Sequence, residues 1–193
     1  MTTQILENLD RGSVETELEG ALQPAAGAMG SMNKSQQELV RHVPAGTGPA
    51  YWGPGERMTF LATGKETSGA FFLAEIEVAP GGGAPPHIHR REDEAFHMLQ
   101  GSLTIQVGGN TITASAGDFA FLPRGIAHSF RNTSDGCAKA LVLTTPAGLE
   151  GFFAEVFDPA TDHLATPPPQ SKDLITRALA AAPKYGLELL PPA

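Results

Sequence analysis

The chain has 193 residues and a formal net charge of -8, with 41% hydrophobic and 18% charged residues. That apolar share suffices for one solid core and argues against wholesale disorder, and the acidic balance excludes a general nucleic-acid binder, which needs a basic face. Its single cysteine, Cys137, excludes an intramolecular disulfide framework and favours a cytoplasmic setting. Gly (22) and Pro (16) are over-represented, so the chain is rich in turns. No apolar run approaches the ~20 residues that span a bilayer. The first twenty residues are acidic and lack the pattern of a secretory signal.

Residues 1–36 read as a peripheral leader. Leu6, Leu9, Leu18 and Leu22 are too sparse for a core face, and Pro24 to Asn33 is small-residue linker material. The string Gly27-Ala28-Met29-Gly30-Ser31 before Met32 resembles a cloning scar. The leader is therefore either vector-derived, with a native start at Met32, or a natural disordered extension.

Residues 37–146 read as an all-β domain. Arg57–Ala62 is a short strand, and Phe72–Val78 alternates, with Phe72, Ala74, Ile76 and Val78 on one face and Glu75 and Glu77 on the other. Leu103, Ile105 and Val107 alternate with polar residues. Gly108-Gly109-Asn110 then turns the chain into Thr111–Ala114, predicting a hairpin. Asp118–Leu122, Ala127–Arg131 and Ala138–Thr145 supply further strands. Short strands between regular turn signals point to a sandwich or barrel.

Residues 147–193 read as a helical cap and tail. Leu149–Phe157 is an apolar helical stretch, Pro167-Pro168-Pro169 a spacer, and Ser171–Tyr185 a helix with Ser171 as N-cap, ended at Ala181-Ala182-Pro183.

The histidines carry the chemistry. His87 and His89, two apart on an extended segment, leave one face. A carboxylate follows across the bend Arg90-Arg91-Glu92-Asp93, and His128 sits on another strand. Such donors can converge inside a barrel on Fe, Ni, Mn, Co, Cu or Zn. An isolated His-x-His is weak, but its surroundings are not. From Gly81 there are five residues, His87-x-His89, four residues, Glu94, six residues, then Gly101. From Gly117 there are five residues, Pro123-x-Gly125, two residues, His128, three residues, then Asn132.

These two blocks resemble the two motifs of the cupin superfamily. The whole chain resembles small single-domain cupins of the quercetin-dioxygenase-like group, closely over about residues 57–145. The resemblance implies an antiparallel jelly-roll barrel, often dimeric, holding one divalent metal ion through His87, His89, Glu94 and His128. Asp93 rivals Glu94 by distance from His89. Glu94 is favoured because it has the family's spacing to Gly101 and shares strand parity with Phe96 and Met98.

Apart from the family, Gly101 and Gly117 suit tight turns, Pro123-Arg124-Gly125 a type II-like turn, and Asn132 a turn closed by its side chain. His97 points opposite to Glu94 by parity and reads as a packed or interfacial residue; His42 and His163 read as surface residues. Cys137 reads as an inert or exposed thiol.

The expected activity is a metal-dependent dioxygenase acting with O2 on an aromatic or enolic, flavonol-like small molecule, with Glu94 as base. Phe96, Met98, Phe121 and Phe130 are expected to form an apolar substrate pocket, with Phe152, Phe153 and Phe157 capping its mouth. The alternatives are a non-oxidative isomerase, cyclase, epimerase or lyase using the metal as Lewis acid, and a non-catalytic binding cupin.

Overall fold

Alternation of side chains builds the two sheets of this computed structural model, which describes residues 40–161 and 172–191. The chain order is β1 (Ala50–Gly53), β2 (Glu56–Ala62), β3 (Phe72–Val78), β4 (Gly83–His89), β5 (Asp93–Gln100), β6 (Ser102–Val107) and β7 (Asn110–Ser115). Then come β8 (Phe119–Leu122), β9 (His128–Arg131), β10 (Ala138–Thr145), helix α1 (Glu150–Val156), β11 (Asp158–Pro159), helix α2 (Lys172–Ala181), a 3-10 turn (Ala182–Tyr185) and β12 (Leu187–Leu189). The leader reading at residues 1–36, the Pro167–Pro169 spacer, His163 and the Ser171 cap lie outside the described residues.

One sheet has seven strands in the order β11-β1-β2-β3-β10-β5-β8 and the other five in the order β12-β4-β9-β6-β7; every pairing is antiparallel. This is an all-β jelly-roll. In β3 and β10 every second residue is buried, and the same inward set (Phe72, Ala74, Ile76 and Val78) emerges that the sequence alternation predicts. These residues meet Phe96, Met98, Leu122 and Val142 of the same sheet and Leu103, Ile105 and Phe130 of the other in one core. Each such side chain contributes about 1.5–3 kcal/mol by leaving water.

A second apolar cluster lies under the helices. It joins Leu149, Phe152, Val156 and Phe157 to Leu174, Ala181, Ala182 and Leu187. The helix read over 149–157 is present as α1. The helix read from Ser171 and ended at Ala181-Ala182-Pro183 is α2, which stops at Ala181, and a 3-10 turn follows it because Pro183 has no N–H to continue the α ladder. Past it, Gly186 turns left-handed (φ 71°) and releases the chain into β12, a strand absent from the sequence reading. No helix among the described residues is long and apolar enough to cross a membrane.

Candidate metal centre

Two neighbouring strands and one in the opposite sheet bring the histidines and Glu94 together. On β4, His87 and His89 share the inward face, and β9 pairs antiparallel with it so that His128 stands opposite His87. Glu94 enters from β5 in the other sheet, buried beside Phe96 on the same inward parity. One ligand atom from each of the four residues lies within 4.8 Å of every other, and all four residues are buried.

Local backbone chemistry sets which ring nitrogens face inward. His87 Nδ1 lies 2.8 Å from Pro85 O, and His128 Nδ1 lies 3.0 Å from Ile126 O. A carbonyl only accepts, so each Nδ1 carries the proton and each neutral ring presents an Nε2 lone pair to the centre. His87 Nε2 and His89 Nε2 approach to 3.0 Å, and His128 Nε2 and Glu94 Oε2 to 3.1 Å. Neither His128 Nε2 nor Glu94 Oε2 has an aligned hydrogen-bond partner. Metal–nitrogen bonds of about 2.1 Å at right angles would separate two donors by about 3.0 Å. The orphaned, converging lone pairs therefore fit a divalent transition-metal ion.

Burial and neighbouring charges favour the ligand forms of His87 and Glu94 and the protonated form of His128. Burial, and then the neighbouring His128 and His89, push the His87 imidazole down to about 4, so it is neutral near pH 7. Burial works against ionisation of Glu94, but the His128 contact and the surrounding imidazoles outweigh it and hold the carboxyl below its ordinary value. Burial likewise opposes the charged form of His128, and the adjacent Glu94 carboxylate reverses the balance and raises it.

The neighbouring acids separate by partner. Asp93, the rival in sequence, accepts from the Arg124 backbone N–H at 2.9 Å and from its guanidinium at 2.6 Å, which pulls its carboxyl down to about 2. Glu92 reads in sequence as part of a polar bend, yet it is only 3% exposed. Its Oε2 lies 3.8 Å from His89 Nδ1, beyond hydrogen-bond reach, and neither atom has a hydrogen-bond partner.

The turn residues tie the two motif blocks together. Gly125 N–H donates to His89 O at 2.7 Å, and Ile126 N–H to Pro123 O at 3.3 Å across a turn in which Gly125 has φ 79°. Asn132, fully buried, donates from Nδ2 to Val78 O (2.9 Å) and Gly136 O (2.7 Å) and accepts from the Ser134 backbone N–H.

His87, His89 and Glu94 open onto a cavity of about 370 Å³ between the barrel core and the helical cluster. Phe96 and Phe130 line it, as do Phe152, Phe153 and Phe157 of the α1 segment. Met98 is buried in the core but is not a wall of this cavity. Phe121 corrects the sequence reading: it is 55% exposed on the outer face of β8, because Ala120 and Leu122 take the inward parity of that strand. His97 is exposed on β5, and Cys137 is exposed and free. Glu56 was missed. It is buried, lines the cavity and has an unpartnered Oε2. Its parity with Met58 and Phe60 was the available signal.

Comparison with known proteins gives the same outline. The family described as "Cupin domain" matches residues 74–144. Over 111 residues the chain is 31% identical to quercetin 2,3-dioxygenase of Bacillus subtilis (strain 168), covering 58% of this chain and 33% of that protein. Over 120 residues it is 28% identical to the tetracenomycin polyketide synthase protein TcmJ of Streptomyces glaucescens, covering 62% of this chain and 70% of that protein. The chain thus spans about a third of the Bacillus protein. Among solved structures it is similar to KdgF from Halomonas sp., with TM-score 0.51 and 17% identity, covering 58% of this chain and 97% of that one.

Proposed function

Because this chain belongs to the cupin superfamily, we propose that it is a mononuclear metal-dependent enzyme, a dioxygenase acting on a flat enolic or aromatic small molecule of flavonol type. The observation that carries the reading is the buried His87–His89–Glu94–His128 cluster opening on an apolar cavity. We assign these four side chains as the ligands of one divalent transition-metal ion. When bound, the ion supplies Lewis acidity toward an enol oxygen and access to O2 chemistry.

The chain's own groups do the rest. Pro85 O and Ile126 O hold the His87 and His128 rings with Nε2 inward. Glu94, kept ionised, takes the proton from the substrate's enol O–H onto a carboxylate oxygen. Phe96, Phe130 and Phe153 hold the flat body and exclude water. Both atoms of O2 enter the ring-opened product, so no outside reductant is needed. The single unpaired cysteine supports a cytoplasmic protein, and the exposed Phe119 and Phe121 on edge strand β8 support a homodimer.

Elemental analysis should find about one transition-metal ion per chain. With quercetin in air, O2 uptake should match substrate loss about one to one. Product formed at full rate under strict anaerobiosis would replace this reading with the non-oxidative one, an isomerase, cyclase, epimerase or lyase. The likeness to a polyketide synthase protein favours that second reading. Metal-free protein after chelator-free purification would leave only a binding role.

A further inference from the structure

Inside the cavity one carboxyl has no assigned task. Glu56 is 4% exposed, and its Oε2 has no hydrogen-bond partner. It stands on the first residue of β2 and shares the inward parity of Met58. The next residue, Arg57, turns the other way and binds Glu77, with Nε 2.7 Å from Oε2. Gly53, paired with Glu56 across β1–β2, leaves the side-chain stem its place: a Cβ there would come within 3.0 Å of Glu56 Cγ and 2.5 Å of the Phe157 ring.

A buried carboxyl without a partner costs stability. Replacing it with an apolar side chain of similar size should improve the free protein. Such a group makes sense where a partner arrives from outside. The cavity wall also carries the apolar Pro54, Met58, Ile76 and Phe157, and among the described residues its only other ionisable side chains are His87, His89 and Glu94, so Glu56 is a polar group in this wall outside the metal-ligand cluster.

We propose that Glu56 is a specificity-determining residue, whose carboxyl hydrogen-bonds a hydroxyl on the substrate's body distinct from the oxygen directed at the His87–His89–Glu94–His128 cluster. This rests on the reading of the cavity as a small-molecule site. The substrate class is then narrowed to flat aromatics carrying at least two separated hydroxyls. Burial, followed by the nearby Glu94 charge, raises the Glu56 carboxyl to about 8, so it arrives protonated and can donate as well as accept.

The test compares 2,6-dihydroxynaphthalene with 2-naphthol, which lacks the second hydroxyl. Binding of both is titrated calorimetrically to the wild-type protein and to Glu56→Met, each loaded with Ni(II) and each stripped of metal. The wild type should bind the diol about tenfold more tightly than the mono-ol, the worth of one hydrogen bond to a buried carboxyl. Glu56→Met should erase that ratio, leave 2-naphthol binding unchanged, and melt a few degrees higher than the wild type. A diol preference that survives in Glu56→Met overturns the proposal, as does a lower melting temperature, which would make the carboxyl structural. Wild-type protein that binds neither probe overturns it together with the small-molecule reading. Failure of Ni(II) to bind while the diol preference holds would sink the metal centre alone and support Glu56.

Discussion

Two carboxyls in one cavity are driven in opposite directions by their surroundings. Glu94, among imidazoles, is held ionised, whereas Glu56, among apolar walls and within reach of the Glu94 charge, is held protonated. The Glu56 shift has a consequence for stability. Its folded-state value, about 8, lies above its ordinary 4.5, so between those values the native protein binds more protons than the unfolded chain. Stability then falls as pH rises, fully retained below about pH 4.5 and lost through about pH 8, with a slope of at most about 1.4 kcal/mol per pH unit. Urea unfolding of the wild type and Glu56→Met at pH 5, 6.5 and 8 checks this. The variant's advantage should widen with pH; an advantage that stays constant or shrinks would mean the carboxyl titrates normally.

At the scale of elements, β4 and β9 form the hinge between sequence and site. Gly83 opens β4 with φ 141°, and a Cβ there would lie 2.1 Å from Phe130 O and 2.9 Å from Arg131 Cα. Only glycine lets the two strands close at that point. Gly83→Ala should therefore cost about 2–4 kcal/mol and, by spreading β4 from β9, should weaken metal binding through the displaced His87–His128 pair. Thermal unfolding followed by circular dichroism, with metal content per chain, measures both; an unchanged midpoint would show that the strands can slide apart freely.

The same elements show why parts of the molecule were legible in the chain and others were not. β3 and β10 each bury one face, so a period of two is written in their residues. The His87–His89–Glu94–His128 cluster was readable through the resemblance to the cupin motifs, whose offsets around Gly81, Gly101, Gly117 and Asn132 these residues match. Glu92 and Glu56 were not readable, because an acidic residue near a bend or at a strand start is ordinarily solvated, and only tertiary closure buries these two. Phe121 misled because a phenylalanine beside Leu122 looks like core. In β8 the inward positions belong to Ala120 and Leu122, and the edge position leaves Phe121 outside.

Across the whole molecule, the chain returns to protect the strand that carries the centre. β12 pairs antiparallel with β4, setting Leu187 opposite His89 and Leu189 opposite His87. Without it β4 would be a sheet edge with free backbone groups beside the histidines. The return is fastened at both ends, by Arg90 N–H to Gly186 O at 2.8 Å and Leu190 N–H to Pro86 O at 2.9 Å, and Leu187 is buried in the helical cluster and lines the cavity. Outside it, Arg90 and Glu188 form an exposed ion pair. A chain ending at Tyr185 loses the burial of Leu187 and several backbone hydrogen bonds, together about 4–6 kcal/mol. That is a large share of the ~5–15 kcal/mol that holds a domain folded. The truncated protein should melt at least about 10 °C lower and should bind Ni(II) more weakly, because its two histidines then ride on a fraying edge. Glu188→Ala separates strand from charge: it removes only the exposed ion pair, costs under about 1 kcal/mol, and should leave Ni(II) affinity intact. If the truncated chain matches the full chain in both midpoint and affinity, β4 is held by β9 alone and the tail is only a cover. If Glu188→Ala reproduces the truncation, the ion pair rather than the strand does the holding.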